Sequence, residues 1–131
     1  MAERLDLNPA SVSKVAAPVS HGVSVKASRL IFTSGQVATD EKGIIVGKGD
    51  AAKQMDQIMT NIGSILKEAG SGFSNVIKVN MYLVDMKDLP SVIAVRSKYL
   101  GDNKITATAV EVKALANPDF KVEVEVIAIG D

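Results

Sequence analysis

The side chains that could do chemistry in this sequence are few. Cysteine is absent and histidine occurs once, as His21, so thiol nucleophiles, thiolate zinc sites and histidine-rich metal sites are excluded. As a lone histidine, His21 is expected to be a surface or hydrogen-bonded residue rather than a metal ligand or a general base. Two charged groups stand out in apolar surroundings, Glu123 in a β-rich run and Arg96 in a helical stripe. Catalysis would therefore depend on carboxylate, amide and guanidinium groups.

Each candidate also has a plain structural interpretation. Glu123 could position a water molecule, but Lys121 lies two residues before it, and an ordinary ion pair would explain the glutamate without catalysis. Arg96 could clamp an anion, or its stem could lie over the core while its guanidinium reaches a carboxylate or solvent. Ser34-Gly35 could line a pocket or simply end a strand.

The apolar pattern predicts the helices that must position these groups. Apolar residues at offsets 3, 4, 7, 10, 11 and 14 from Met55 form one helical stripe. Asp50 is a suitable N-cap for this helix, and Gly70 suits the left-handed position just after its end. A second helix is predicted from Asp88 to Gly101, with Arg96 within its apolar stripe.

The remaining apolar runs predict strands, in the order β-β-α-β-α-β-β. Residues 23–25 and 30–32 are predicted to form a hairpin, and residues 77–83, 106–112 and 121–129 three further strands. The two helices should cover one face of one sheet. The other face also carries apolar residues, which predicts burial against another copy of the chain: Val76, Tyr82, Val84, Ile127 and Ile129.

Length and charge narrow the function classes. The 131 residues fit a single domain, 1–131, whose first fifteen residues are expected to be a loosely ordered arm. Fifteen basic and fifteen acidic residues cancel, and the aromatic residues form no stacking platform, so binding of nucleic acid is disfavoured. No apolar stretch is long enough to span a membrane or to form a signal peptide, so a cytoplasmic protein is expected.

Several segments together resemble the Rid (reactive intermediate deaminase) family, also called YjgF. In sequence order they are Thr33-Ser34-Gly35-Gln36, Gln54 through Asn61 to Glu68-Ala69-Gly70, Val76-Ile77-Lys78-Val79, Tyr82-Leu83-Val84-Asp85-Met86, Val110-Glu111-Val112 and Val122 to Ala128. The resemblance implies a chorismate-mutase-like α+β fold with two helices on one face of a mixed sheet. It also implies a homotrimer whose sheets form a central barrel, with ligand clefts between subunits.

The resemblance also implies a reaction. Family members hydrolyse enamines and imines to 2-keto acids and ammonia without a metal or organic cofactor. An arginine binds the substrate carboxylate, while a glutamate and backbone carbonyls position a water. By resemblance, Glu123 is the glutamate, Ala109 contributes a carbonyl next to Thr108, and Ser34-Gly35 contacts the anion.

The cleft is expected to be more apolar than usual in the family. Ala107 stands where the family arginine is aligned, Val19 where a tyrosine is frequent, and Ile93 where an asparagine is frequent. The usual 2-imino acids are therefore not the expected substrates. Three hypotheses remain open: a hydrolase of enamines, imines or a related electrophile, a non-catalytic trimer that binds a small apolar metabolite, and an endoribonuclease or translation inhibitor.

Overall fold

The predicted element order is present, with one additional strand at the start. A computed structural model describes residues 3–14 and 18–130. The elements are β1 (Glu3–Leu7), β2 (Gly22–Lys26), β3 (Arg29–Phe32), α1 (Ala51–Glu68), β4 (Val76–Leu83), α2 (Leu89–Leu100), β5 (Thr106–Glu111) and β6 (Val122–Gly130). From β2 onward this is β-β-α-β-α-β-β, as the sequence predicts.

Both helices begin and end where the sequence predicts. The Asp50 side chain accepts a hydrogen bond from the Lys53 amide at 3.0 Å and caps α1. Gly70 and Gly101 follow α1 and α2 with φ of 70° and 55°, a conformation that glycine adopts without steric cost. The Tyr99 hydroxyl of α2 donates to the Asp56 carboxylate of α1 and joins the two helices.

The helices cover one face of a mixed four-stranded sheet of order β3-β6-β4-β5. Strands β4 and β5 are parallel, whereas β6 is antiparallel to both β3 and β4. Alternate residues of the two central strands pack against the helices: Val79, Met81, Leu83, Val122, Val124, Val126 and Ala128. We call this side of the sheet the helix face and the other side the open face.

One buried glutamine of α1 holds the start of β6 in place. The side chain of Gln54 is fully buried. Its amide nitrogen donates to the carbonyls of Asp119 at 2.9 Å and Gly47 at 3.2 Å, and its oxygen accepts from the Lys121 amide at 2.8 Å. The three bonds fix the end of the loop that leads into the strand carrying Glu123.

Three predictions about individual segments are wrong. Strands β2 and β3 do not form the predicted hairpin, because β2 pairs with β1 and β3 pairs with β6. Residues 3–7, expected to lie in a loosely ordered arm, are strand β1, and Arg4 ties it to the Asn103 side chain at 2.7 Å and the Lys104 carbonyl at 2.8 Å. Val76 lies in the core and not on the open face, since the register shifts between Val76 and Lys78.

The open face carries exposed apolar side chains. Leu30 and Phe32 are 52% and 66% exposed, and Val110 of β5 is 41% exposed. Leu30 and Phe32 pair with Ile129 and Ile127 of β6, which places all four on the open face. None of the helices in the described part of the chain is long and apolar enough to span a membrane.

Candidate functional site

Gly35 and Glu123 are in direct contact. The segment from Thr33 to Gln36 runs along β6, with the Gln36 amide donating to the Val124 carbonyl at 2.7 Å and the Thr33 amide donating to the Val126 carbonyl at 3.1 Å. A Cβ atom at Gly35 would lie 2.8 Å from Glu123 Cδ and closer still to Oε2. Gly35 is not among the glycines with positive φ, so close approach of the carboxylate, and not turn geometry, requires glycine here.

The carboxylate of Glu123 has no partner among residues 3–14 and 18–130. It takes part in none of the hydrogen bonds or ion pairs found there. The ion pair between Lys121 and Glu123 that the sequence allowed does not form, because Lys121 Nζ lies 3.7 Å from Asp88 Oδ2 instead. Glu123 is therefore a partly buried carboxylate whose lone pairs are available to a ligand or a water molecule.

The carboxylate of Glu125, two residues further along the same strand, already accepts hydrogen bonds from neighbouring side chains. Its Oε1 accepts a hydrogen bond from the Tyr82 hydroxyl at 2.5 Å and one from the Asn80 side chain at 3.4 Å. The pKa of Tyr82 is raised, first by its hydrogen bond to Glu125, then by burial and by the negative charges of Glu125 and Glu123. Tyr82 thus remains protonated at neutral pH and donates its hydrogen bond to Glu125. Glu123 receives no such bond from the described residues.

The backbone of Ala107 and Ala109 lies at the open edge of the sheet. The Val112 amide donates to the Leu83 carbonyl of β4, whereas the Ile105 carbonyl, on the outer side, accepts from the Ser20 amide at 2.9 Å. Because alternate residues of a strand share a direction, the polar groups of Ala107 and Ala109 point outward with those of Ile105. Within the described chain β5 pairs only with β4 beyond that point, so the Ala109 carbonyl has no strand partner there and is available for the contact that the family resemblance implies.

The side chains of Ala107 and Ala109 lie on the helix face. Ala107 pairs with Val79 and Ala109 with Met81, and both alanines pack against the core. Thr108, paired with Asn80, is exposed on the open face. Val19 forms a bridge with Ile105 just before β5 and also packs against the core, so it lies at the start of the same edge.

Ile93 and Arg96 lie one turn apart on α2, above the same region of the helix face. Ile93 is half-buried and packs against the core. Arg96 is only 2% exposed, and its Nη1 lies 3.9 Å from Met81 Sδ. Among residues 3–14 and 18–130, no carboxylate forms an ion pair with the guanidinium. Burial lowers the pKa of the group.

One protomer does not bring all the predicted site residues together. Glu123 lies on the open face with Ser34-Gly35, whereas Val19, Ile93, Arg96, Ala107 and Ala109 lie on the helix face or at the β5 edge. Residues on opposite faces of a sheet cannot line one pocket. His21 is exposed, and its Nε2 lies 2.5 Å from the Ser13 carbonyl, as expected of a hydrogen-bonded surface residue.

The structure also shows two features that the sequence did not indicate. The bond between Tyr82 and Glu125 depends on the register of β4 against β6, which alternation alone does not determine. A cleft of about 380 Å³ lies beside the loop between β5 and β6, where apolar loop residues carried no periodic signal. The residues that line it are Val84, Lys113, Ala114, Leu115, Asn117, Pro118 and Phe120.

Comparison with known proteins identifies the family. The family model described as Endoribonuclease L-PSP matches residues 11–130. A RutC family protein of Pyrococcus horikoshii is 39% identical over 105 residues, which are 80% of this chain and 82% of that protein. The chain belongs to the Rid (YjgF) family.

Other Rid proteins bear out the fold and include named enzymes. A crystal structure of a Rid family protein from Yersinia pestis superposes with a TM-score of 0.87 at 28% identity, and the match covers 96% of this chain and 98% of that one. A human protein named 2-iminobutanoate/2-iminopropanoate deaminase is 34% identical over 112 residues, 86% of this chain and 80% of that protein. The resemblance found in the sequence is thereby confirmed.

Proposed function

We propose that this Rid protein is a hydrolase of reactive enamines or imines, with Glu123 as the residue that positions and deprotonates water. The observation that carries the proposal is the Glu123 carboxylate beside Gly35, which has no partner in the described part of the chain, whereas the Glu125 carboxylate accepts a hydrogen bond from Tyr82. The names of related deaminases support the reaction class. The chemistry needs no group beyond a positioned acid–base residue.

The proposed reaction is a hydrolysis through a carbinolamine. The oxygen of a water molecule attacks the imine carbon while Glu123 accepts a proton from that water. Glu123 then gives that proton to the nitrogen, which completes the carbinolamine. Glu123 next accepts the proton of the carbinolamine hydroxyl and passes it to the amino nitrogen, so that the carbon–nitrogen bond breaks and ammonia leaves as the carbonyl forms. An enamine enters the same sequence after protonation to the imine.

The proposal includes a homotrimer with the site at the subunit boundary. In one protomer Glu123 and Ser34-Gly35 lie on the open face, and the free carbonyl of Ala109 lies at the edge of β5. A neighbouring copy packed on the open face would bring its β5 edge to Glu123. The exposed apolar residues Leu30, Phe32 and Val110 supply a reason for such packing.

Turnover by two carboxylate variants tests the reaction. Imines with and without a carboxylate are generated in situ by an amine or amino-acid oxidase, and carbonyl product is measured against spontaneous hydrolysis. Glu123→Gln is expected to lose at least about 100-fold in kcat/KM, since it removes the general base. Glu125→Gln, on the same face of the same strand, keeps an acceptor for Tyr82 and should stay within about threefold.

Two other results would contradict the proposal. If the wild type gives no turnover while ligands raise the Tm equally in wild type and Glu123→Gln, the protein is a non-catalytic binder. If it cleaves RNA in a metal-free buffer and the imines are untouched, the name of the family model would describe it better than the deaminase names.

A further inference from the structure

The segment after β3 continues to pair with β6, but it contains one extra residue. The Thr33 amide donates to the Val126 carbonyl at 3.1 Å. Three residues further on, Gln36 pairs with Val124, and the two exchange backbone hydrogen bonds of 2.7 and 3.0 Å. Two residues of the segment therefore lie opposite a single residue of β6, which is the arrangement that defines a β-bulge.

The hydroxyl group of Thr33 forms the first end of this bulge. In a regular antiparallel pair the Val126 amide would donate to the Thr33 carbonyl, because opposite residues exchange both backbone bonds. Here the Val126 amide donates to Thr33 Oγ1 at 3.0 Å. At the other end the Gln36 side chain donates to the Ser34 carbonyl at 3.3 Å. Two side chains of the segment thus stabilise its departure from the regular ladder.

The extra residue decides on which side of the sheet Gly35 lies. In a regular ladder Gly35 would be opposite Val124, whose side chain is in the core on the helix face. The bulge gives that place to Gln36, and a shift of one residue reverses the face that a residue meets. Gly35 instead approaches the Glu123 carboxylate on the open face, where an added Cβ would lie 2.8 Å from Glu123 Cδ.

We propose that Thr33 is a positioning residue, whose hydroxyl group maintains the bulge that places Gly35 against the Glu123 carboxylate. Thr33 acts through these two residues. Without the hydroxyl, the Val126 amide can be paired only if the Thr33 carbonyl turns back into the ladder, which withdraws Gly35 from Glu123. The effect of Thr33 on turnover rests on the proposed function, whereas its effect on the geometry of the segment does not.

Kinetics of three variants test the effect on turnover, with the imine assay described above. Thr33→Val keeps the shape of the side chain but removes the acceptor, so kcat should fall by about tenfold or more while KM stays within about threefold. Thr33→Ser keeps the hydroxyl and should restore kcat to within about threefold of wild type. Thr60→Val is the matched control, because the Thr60 hydroxyl donates to the Asp56 carbonyl within α1, and it should change neither constant.

Nuclear magnetic resonance tests the geometry without substrate. The amide chemical shift of Gly35 and the side-chain Cδ shift of Glu123 are compared between wild type and the variants. Both signals should move in Thr33→Val, whereas they should keep their wild-type positions in Thr33→Ser and Thr60→Val. If Thr33→Val does not fold, Thr33→Ala removes the same acceptor with a smaller side chain and should show the same shifts.

Three outcomes would overturn the inference. In the first, Thr33→Val keeps both chemical shifts of wild type, whatever its kcat. In the second, Thr33→Ser loses as much kcat as Thr33→Val, which would assign the effect to the shape of the side chain and not to its hydroxyl. In the third, Thr33→Val moves both signals but turns over imines as wild type does. Absence of turnover in wild type would contradict the hydrolase proposal alone, since the chemical shifts are measured without substrate.

Discussion

Glu123 and Gly35 approach so closely that the glycine has no room for a methyl group. The carboxylate fills the volume that any larger side chain would need, so a side chain at position 35 would displace it. At the residue scale the candidate site thus consists of the Glu123 carboxylate packed against the backbone at Gly35. The neighbouring carboxylate of Glu125 accepts a hydrogen bond from Tyr82. The difference between Glu123 and Glu125 lies in their partners and not in their chemistry.

Gly35→Ala should reduce activity much more than stability. The added methyl displaces the Glu123 carboxylate, which is the flexible end of a side chain and can swing away, so unfolding free energy should fall by about 1 kcal/mol or less. Displacement of the Glu123 carboxylate should lower kcat/KM by about tenfold or more. Gly72→Ala is the matched control, because Gly72 has extended backbone and open space around it. If Gly35→Ala and Gly72→Ala have equal activity, Gly35 is not part of the site.

At the element scale, β6 is held in place mainly by its neighbours. The loop segment 33–36 bonds to Val124 and Val126 on one side, and Gln54 of α1 holds the residues just before the strand. Strand β4 pairs with β6 from Leu83 to Val76 on the other side. The position of Glu123 therefore depends on a helix, a strand and a loop that are distant from it in sequence.

Gln54→Leu should be strongly destabilising. It leaves the Lys121 amide and the Asp119 and Gly47 carbonyls without the partner they have in the core, and each buried unpaired group costs about 1–3 kcal/mol. We expect a loss of about 3 kcal/mol in unfolding free energy, measured by urea denaturation. Gln57→Leu changes a residue one turn away whose side chain, among residues 3–14 and 18–130, bonds to Asn61 alone, and it should lose less than about 1 kcal/mol. A loss of similar size in both variants would contradict the role given to Gln54.

At the scale of the whole molecule, the predicted site residues lie on different faces of one sheet. The free carboxylate is on the open face, while Arg96 and the alanine side chains are on the helix face. A complete pocket requires either a second copy or a large rearrangement. The exposed apolar residues of the open face favour the second copy.

Phe32→Glu should weaken the proposed trimer. Phe32 is 66% exposed on the open face, and a charge there would have to be buried when copies assemble. Light scattering of the wild type should give about three times the chain mass of 13.8 kDa, and the variant should shift toward one. Ile44→Glu alters a residue that is 59% exposed in the loop before α1 and should leave the mass unchanged. A monomeric wild type would disprove the assembly.

The sequence by itself determined the helices, their caps and the order of the strands. These features follow from local periodicity and from short-range preferences such as those of Asp50, Gly70 and Gly101. Short motifs were also sufficient to identify the family, and the resemblance they carry is the basis for proposing Glu123 and Ser34-Gly35 as site residues. The sequence did not determine strand pairing in the N-terminal third. Strand β2 can pair with either neighbouring strand, and both pairings satisfy the same alternation of apolar and polar residues.

Only the tertiary structure decided what each charged residue contacts. Lys121 lies near Glu123 in sequence yet pairs with Asp88, and Tyr82 selects Glu125 across the sheet. Arg96 is placed beside Met81 by the packing of α2 on the sheet. Contacts of this kind depend on register and helix packing, which join residues far apart in the chain, so spacing in the sequence carries no information about them.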